Sequence, residues 1–220
     1  MAELITGLTA DRVGANLAEV RQRIGAAAKR AGRDAADVEL VVAGKYVALE
    51  DLGVLAEAGI QTIGENRAQD LQAKVAAYGD TFTWDFIGHL QSRKVKHVAP
   101  LVRLIHSVGT ESAMAQLERH ATPELGLLVE VNVAGEEGKS GVAPADLAAF
   151  LEGSPVAVKG LMTMPPQARE PDDSRRWFAA LRELADRHDL AALSMGTTQD
   201  YEVAVEEGAT LVRIGTSLFA

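Results

Sequence analysis

Eight apolar, β-branched-rich segments recur along the chain, and the stretches between them read as helices. The segments are "ELVVAG" (39–44), "QTIGE" (61–65), "WDFIGH" (84–89), "RLIHSV" (103–108), "LGLLVEVNV" (125–133), "AVKGLMTM" (157–164), "AALSMG" (191–196) and "TLVRIGT" (210–216). They run continuously apolar instead of alternating, as parallel strands covered on both faces do. Strand–helix alternation repeated in this way predicts an α/β fold: a closed, TIM-type (β/α)8 barrel forming one domain over 1–220. An open doubly wound sheet is the competing arrangement, and no G-x-G-x-x-G fingerprint supports it.

The intervening segments carry helix punctuation. "DLGVLAEAG" and "RAQDLQAKVAAYG" end in glycine, a common helix stop, and "GTESAMAQLERHA" opens on a threonine suited to an N-cap. In "EPDDSRRWFAALRELADRHD", Trp177, Leu181 and Leu184 are expected to form the core-facing stripe. An extra N-terminal helix is expected before the first strand, with Val13, Leu17, Val20 and Ile24 on one face.

Composition narrows the chemistry. The 220 residues contain no cysteine, which excludes disulfides, thiolate metal sites and a cysteine nucleophile. A formal charge of −9 argues against nucleic acid or an anionic membrane as partner. The short basic run "SRKVKH" (92–97) reads as a solvated helix face. No apolar run approaches a membrane span and the N-terminus lacks a signal-peptide pattern, so a soluble cytoplasmic protein is expected, by default a monomer.

In a barrel of this kind reactive groups gather at the C-terminal strand ends. The first strand ends in Lys45, the second in Asn66, the third in His89 and the sixth in Met162. "SMGTT" and "RIGTS", after the seventh and eighth strands, pair small hydroxyl residues with glycine, a composition suited to an anion nest where this fold commonly binds phosphate. Small residues also fill tight turns, and a strand-end lysine can simply snorkel to solvent. Closure of the barrel would set Lys45 beside the last strand, and an amine facing a phosphate suggests Schiff-base chemistry with pyridoxal 5′-phosphate. Arg213 shares the face of Gly215, and an arginine against a pyridine nitrogen keeps it unprotonated, which disfavours transaminase-type chemistry.

The stretches "LVVAGKY", "TIGENRAQDLQAK", "WDFIGHLQSRKVKHV", "LLVEVNVAGEEGKSGV", "KGLMTM" and "LSMGTTQDYEVAVEEGATLVRIGTSLF" together cover almost the whole chain. In them the chain resembles the pyridoxal phosphate homeostasis proteins, which share the barrel of the alanine racemase N-terminal domain. The resemblance implies a cofactor held as an aldimine on Lys45. It implies a phosphate held around Ser194, Met195, Gly196, Gly215 and Thr216, Arg213 near the ring nitrogen, Asn66 near the cofactor, and His89 and Met162 as pocket lining. Departures are Gly44 where the family usually has serine before the lysine, Tyr46-Val47 after it, "SRK" for "SNK" and Thr197 for methionine. Tyr46 is expected to point away from Lys45, since neighbours on a strand face opposite sides.

Three functions compete. A non-catalytic carrier would buffer pyridoxal phosphate and deliver it to apo-enzymes; a racemase-like enzyme would turn over amino acids; an aldolase would use Lys45 on a sugar phosphate. Two-base racemisation needs a group on each face of the substrate carbon. The second domain that supplies one in alanine racemases is not expected here, because the chain ends at Ala220. The carrier is therefore the expected reading.

Overall fold

The computed structural model describes residues 5–220 and shows a closed barrel of eight parallel strands in the order 1 to 8, each hydrogen-bonded to the next and the last to the first. The helix α1 (Ala10–Arg30) comes first, with the Thr9 hydroxyl accepting from Arg12 N–H at its N-terminus. Its Val13, Leu17, Val20 and Ile24 are buried, as the periodicity predicts. Each such side chain contributes roughly 1.5–3 kcal/mol on burial, enough to dock the helix firmly.

The strands are β1 (Glu39–Ala43), β2 (Thr62–Glu65), β3 (Thr83–Phe86), β4 (Leu104–Val108), β5 (Gly126–Glu130), β6 (Val158–Met162), β7 (Ala192–Thr197) and β8 (Leu211–Ile214). Between them run α2 (Leu52–Glu57), α3 (Ala68–Tyr78), α4 (Val95–Val98), α5 (Glu111–His120), α6 (Leu147–Glu152), α7 (Arg175–Arg187) and α8 (Tyr201–Glu206), and α9 (Thr216–Phe219) follows β8. Strand alternation divides the core into two layers. Val42, Ile63, Phe86, Ile105, Leu127, Leu161, Val212 and Ile214 belong to the large outer core under the helices. Val41, Leu104, Leu128, Met162 and Leu211 form the small inner core within the barrel.

Three expectations change. In α7 the buried stripe is Phe178, Leu181, Leu184 and Ala185, whereas Trp177 is only half-buried, with the Arg176 guanidinium 4.4 Å from its ring centroid. Leu181 and Leu184 are buried as expected, and the buried aromatic is Phe178, one position after Trp177. Second, β1 ends at Ala43, and Gly44–Tyr46 form a single 3-10 turn that carries Lys45 off the strand. Third, strand alternation fails there, so Tyr46 does not point away: the Lys45 ammonium lies 4.6 Å from the Tyr46 ring centroid.

"SRKVKH" forms a short turn and α4, with Arg93, Lys96 and His97 exposed. Among the described residues no helix is long and apolar enough to cross a membrane.

Candidate functional site

The turn bearing Lys45 is held from beneath. Lys74 of α3 is buried, donates to the Gly44 carbonyl at 2.8 Å and pairs with Glu65 of β2 at 2.5 Å. Burial pushes the Glu65 carboxyl up, opposed by the Lys74 charge. Gly44 is closely packed in this arrangement: a Cβ there would lie 2.7 Å from both Glu65 Oε1 and Ile63 Cγ2, so those side chains would have to shift to admit one. Lys45 itself is exposed and lines a cleft of about 370 Å³ with Tyr46, Val47, Asn66, Arg67 and Asp70.

Pairing of β1 with β8 brings the two ends of the chain's strand series together, Val42 opposite Ile214. A Cβ on Gly215 would stand 3.3 Å from Ala43 Cβ, so the turn with Lys45 abuts the turn after β8. The turns after β7 and β8 are tied to each other, with Gly215 N–H donating to Thr198 Oγ1 at 3.4 Å. Asp200 shapes the first of them, accepting from Thr197 N–H at 2.8 Å and from the Ser174 hydroxyl at 2.8 Å. Gly196 has φ +87°, and a Cβ there would meet Ala204 Cβ at 2.5 Å, so that position requires glycine.

Inside the barrel, Arg213 is buried and its guanidinium is fixed from two sides. Nη1 donates to Ser194 Oγ at 2.5 Å, while Nη2 donates to the Thr163 carbonyl at 3.0 Å and touches Met164 Sδ at 2.9 Å. Burial pulls Arg213 down to about 10, opposed by Asp200 and Glu130, so it remains a cation at neutral pH. Below it, His106 Nδ1 lies 2.7 Å from Ser194 Oγ and Nε2 lies 3.1 Å from Asp85 Oδ2. Arg103 binds the same carboxylate through two hydrogen bonds of 3.2 and 2.8 Å and reaches Glu39 at 3.0 Å.

The structure thus brings Lys45, Gly215 and Thr216 to adjoining turns, with Thr216 exposed at the start of α9. Met162 is buried in the inner core below the mouth. Asn66 follows β2, and its Oδ1 is buried with no partner among the described residues, as is Ser217 Oγ of α9. Three residues stand apart. Ser194, expected around the phosphate, is fully buried inside the barrel and its hydroxyl is engaged by Arg213 and His106. The Met195 side chain belongs to the outer core, because it alternates with inward-facing Ser194. His89 is exposed on the loop after β3 and makes no side-chain hydrogen bond among the described residues.

Sequence reasoning missed His106, Asp85, Lys74 and Glu65. Part of the signal for the first two was present: His106 in "RLIHSV" and Asp85 in "WDFIGH" each follow or interrupt apolar residues of a strand.

Residues 10–220 match the family model described as alanine racemase, N-terminal domain. The pyridoxal phosphate homeostasis protein of Aquifex aeolicus is 42% identical over 217 residues, covering 92% of this chain and 95% of its own. That of Pseudomonas aeruginosa is 38% identical, covering 94% of each. The chain belongs to the pyridoxal phosphate homeostasis protein family. The fold agreement with solved structures is close. PipY of Synechococcus elongatus, solved with PLP bound, superposes at TM-score 0.77 with 27% identity, over 94% of this chain and 100% of PipY. Without PLP it superposes at 0.81 with 30% identity and the same coverage. The similarity to alanine racemase from Corynebacterium glutamicum, at 13% identity and TM-score 0.69, shows the shared fold alone.

Proposed function

We propose that this protein holds pyridoxal 5′-phosphate through a covalent bond to Lys45 Nζ and serves as an intracellular buffer and donor of it, without a turnover of its own. The observation that carries this is the juxtaposition of an exposed lysine on the β1 turn with the linked turns after β7 and β8, above a buried guanidinium. The residues present fit the group. Asn66 Oδ1 and Ser217 Oγ are buried polar atoms without partners among the described residues, and Ser217 directly follows the Gly215-Thr216 turn after β8.

When bound, the cofactor supplies an aldehyde carbon for an amine and an electron-withdrawing ring. Lys45 provides that amine from a solvent-exposed turn, which lets an acceptor compete for the cofactor. Arg213, a donor that cannot accept a proton, would keep the ring nitrogen unprotonated and the ring a poorer electron sink. Relatives bearing the homeostasis name support the same reading.

The racemase alternative draws on one observation, the phenol of Tyr46 beside Lys45. Both groups spring from the same turn, whereas two-base racemisation needs groups on opposite faces of the substrate carbon. Tyr78 and Tyr201 do not supply the second: the Tyr78 hydroxyl accepts from Gly53 N–H, and Tyr201 is buried on α8.

The deciding experiment mixes the loaded protein with an apo pyridoxal-phosphate enzyme and, separately, with L-alanine. Recovery of acceptor activity that depends on Lys45, with no D-alanine formed, is the expected result. Lys45-dependent D-alanine formation, or failure of the acceptor to gain cofactor, contradicts it.

A further inference from the structure

The barrel interior holds a polar chain that Lys45 chemistry does not itself require. It runs from Arg103 at the base through Asp85 (β3), His106 (β4) and Ser194 (β7) to Arg213 (β8), each link a hydrogen bond. Asp85, His106 and Ser194 are buried completely or nearly so, and Arg213 is 6% exposed, so water does not substitute for any of them. Polar groups in such a place are costly unless every donor and acceptor is matched, and the matching fixes a direction.

The direction follows from His106. The Asp85 carboxylate can only accept, so His106 Nε2 must carry a proton toward it; a bare Nε2 would set two acceptors 3.1 Å apart. Arg213 Nη1 can only donate, so Ser194 Oγ accepts from it and turns its own hydrogen onto His106 Nδ1 at 2.7 Å. Nδ1 is therefore unprotonated and the ring neutral. A second ring proton would place a third cation between Arg103 and Arg213 in a dry interior, and it would leave the Ser194 hydrogen without an acceptor. Every hydrogen bond from Arg213 downward points toward Asp85, whose negative charge Arg103 balances in turn.

We propose that His106, as its neutral Nε2–H tautomer, is a positioning residue that locks Ser194, and through it the Arg213 guanidinium, in the orientation in which Arg213 meets the cofactor's ring nitrogen. The proposal rests on the functional reading above for the identity of the cofactor, but the direction of the chain rests on protein atoms alone. Ser194 holds Nη1 and the Thr163 carbonyl holds Nη2, so each terminal nitrogen has an anchor. Nε and the second N–H of Nη1 have no hydrogen-bond partner among the described residues and are the donors left for a ligand. Without His106, the Ser194 hydroxyl would be free to rotate, and Arg213 would lose one of its two fixed anchors.

Two measurements test this. The first is histidine 15N NMR of the protein without added cofactor, with His106 assigned by comparison with His106→Gln. The expected signal is a neutral ring protonated at Nε2 from about pH 8 down past the ordinary histidine value of about 6.5. A ring protonated at Nδ1, or one that titrates at the ordinary value, overturns the proposal.

The second is pyridoxal phosphate affinity for Ser194→Ala, His106→Gln and the double variant. Each single change is expected to weaken binding about tenfold, the size of one lost hydrogen bond. The double variant is expected to be no worse than either, because both cut the same chain. Ser194→Ala removes one hydroxyl only and keeps the test decisive should His106→Gln fail to fold. Wild-type affinity in Ser194→Ala or in a folded His106→Gln, or strictly additive losses, overturns the proposal while leaving the functional reading in place. A wild type that takes up no pyridoxal phosphate removes both.

Discussion

Two residues show how narrowly this site is specified. At Gly44 the chain has no side chain because Glu65 and Ile63 already occupy the space. Gly44→Ala is expected to cost about 1–3 kcal/mol through overpacking. It should lower Tm and displace the Lys45 turn, measurable by calorimetry alongside cofactor uptake; an unchanged Tm contradicts the packing argument. At His106, burial holds the ring below its ordinary range, opposed by Asp85 and reinforced by Arg213 and Arg103. As pH falls below about 6.5 the unfolded chain takes up a proton that the folded ring refuses, so stability declines with acidification. This contributes up to about 1.4 kcal/mol per pH unit. Denaturant unfolding between about pH 7 and 5.5 should show that part of the slope in the wild type and not in His106→Gln; equal slopes contradict it. Lys45 and Arg213 were legible as candidates because each is a charged residue at or near the end of an apolar strand, Lys45 next to Gly44 and Arg213 two residues before Gly215. His106 was legible only as a polar residue in a mostly apolar strand, which carries no sign of its partners on two other strands.

At the level of elements, β2 and α3 act together as the foundation of the β1 turn. Lys74→Met would strand the Glu65 carboxylate in the core and remove the donor to the Gly44 carbonyl. The expected loss is about 3–5 kcal/mol, with much of it recovered in Lys74→Met/Glu65→Leu, where no buried charge remains. Urea unfolding of the two variants checks this, and a double variant no more stable than the single one contradicts it. Sequence periodicity placed all eight strands, because apolar residues on both faces distinguish a barrel strand from its helices. It did not locate where β1 stops: "VVAG" stays apolar or small through the bend, and only the contact with Glu65 and Ile63 reveals why the backbone turns there. Lys74 was equally silent, since a lysine in "DLQAK" reads as a solvent-facing helix position until β2 delivers a carboxylate to it.

Across the whole molecule, closure is what makes a site. Parallel pairing of β1 with β8 sets a residue near the start of the chain against turns near its end, and α1 packs over α8 and α9 at the same seam. Asn16 of α1 donates to the carbonyls of Leu218 and Ala220 at 3.1 and 3.2 Å, fixing the short helix that follows the β8 turn. This long-range geometry was legible in outline, since eight alternating units imply a barrel and a barrel implies that neighbourhood. The interior polar chain was not, because it depends on the register of four strands at once. The site's purpose is tested most directly by titrating the purified protein with pyridoxal phosphate and following absorbance, beside Lys45→Ala. The wild type should develop the band of a lysine-linked cofactor and the variant should not. A band that survives in Lys45→Ala, or none in the wild type, would contradict the assignment of Lys45 as the residue that holds the cofactor.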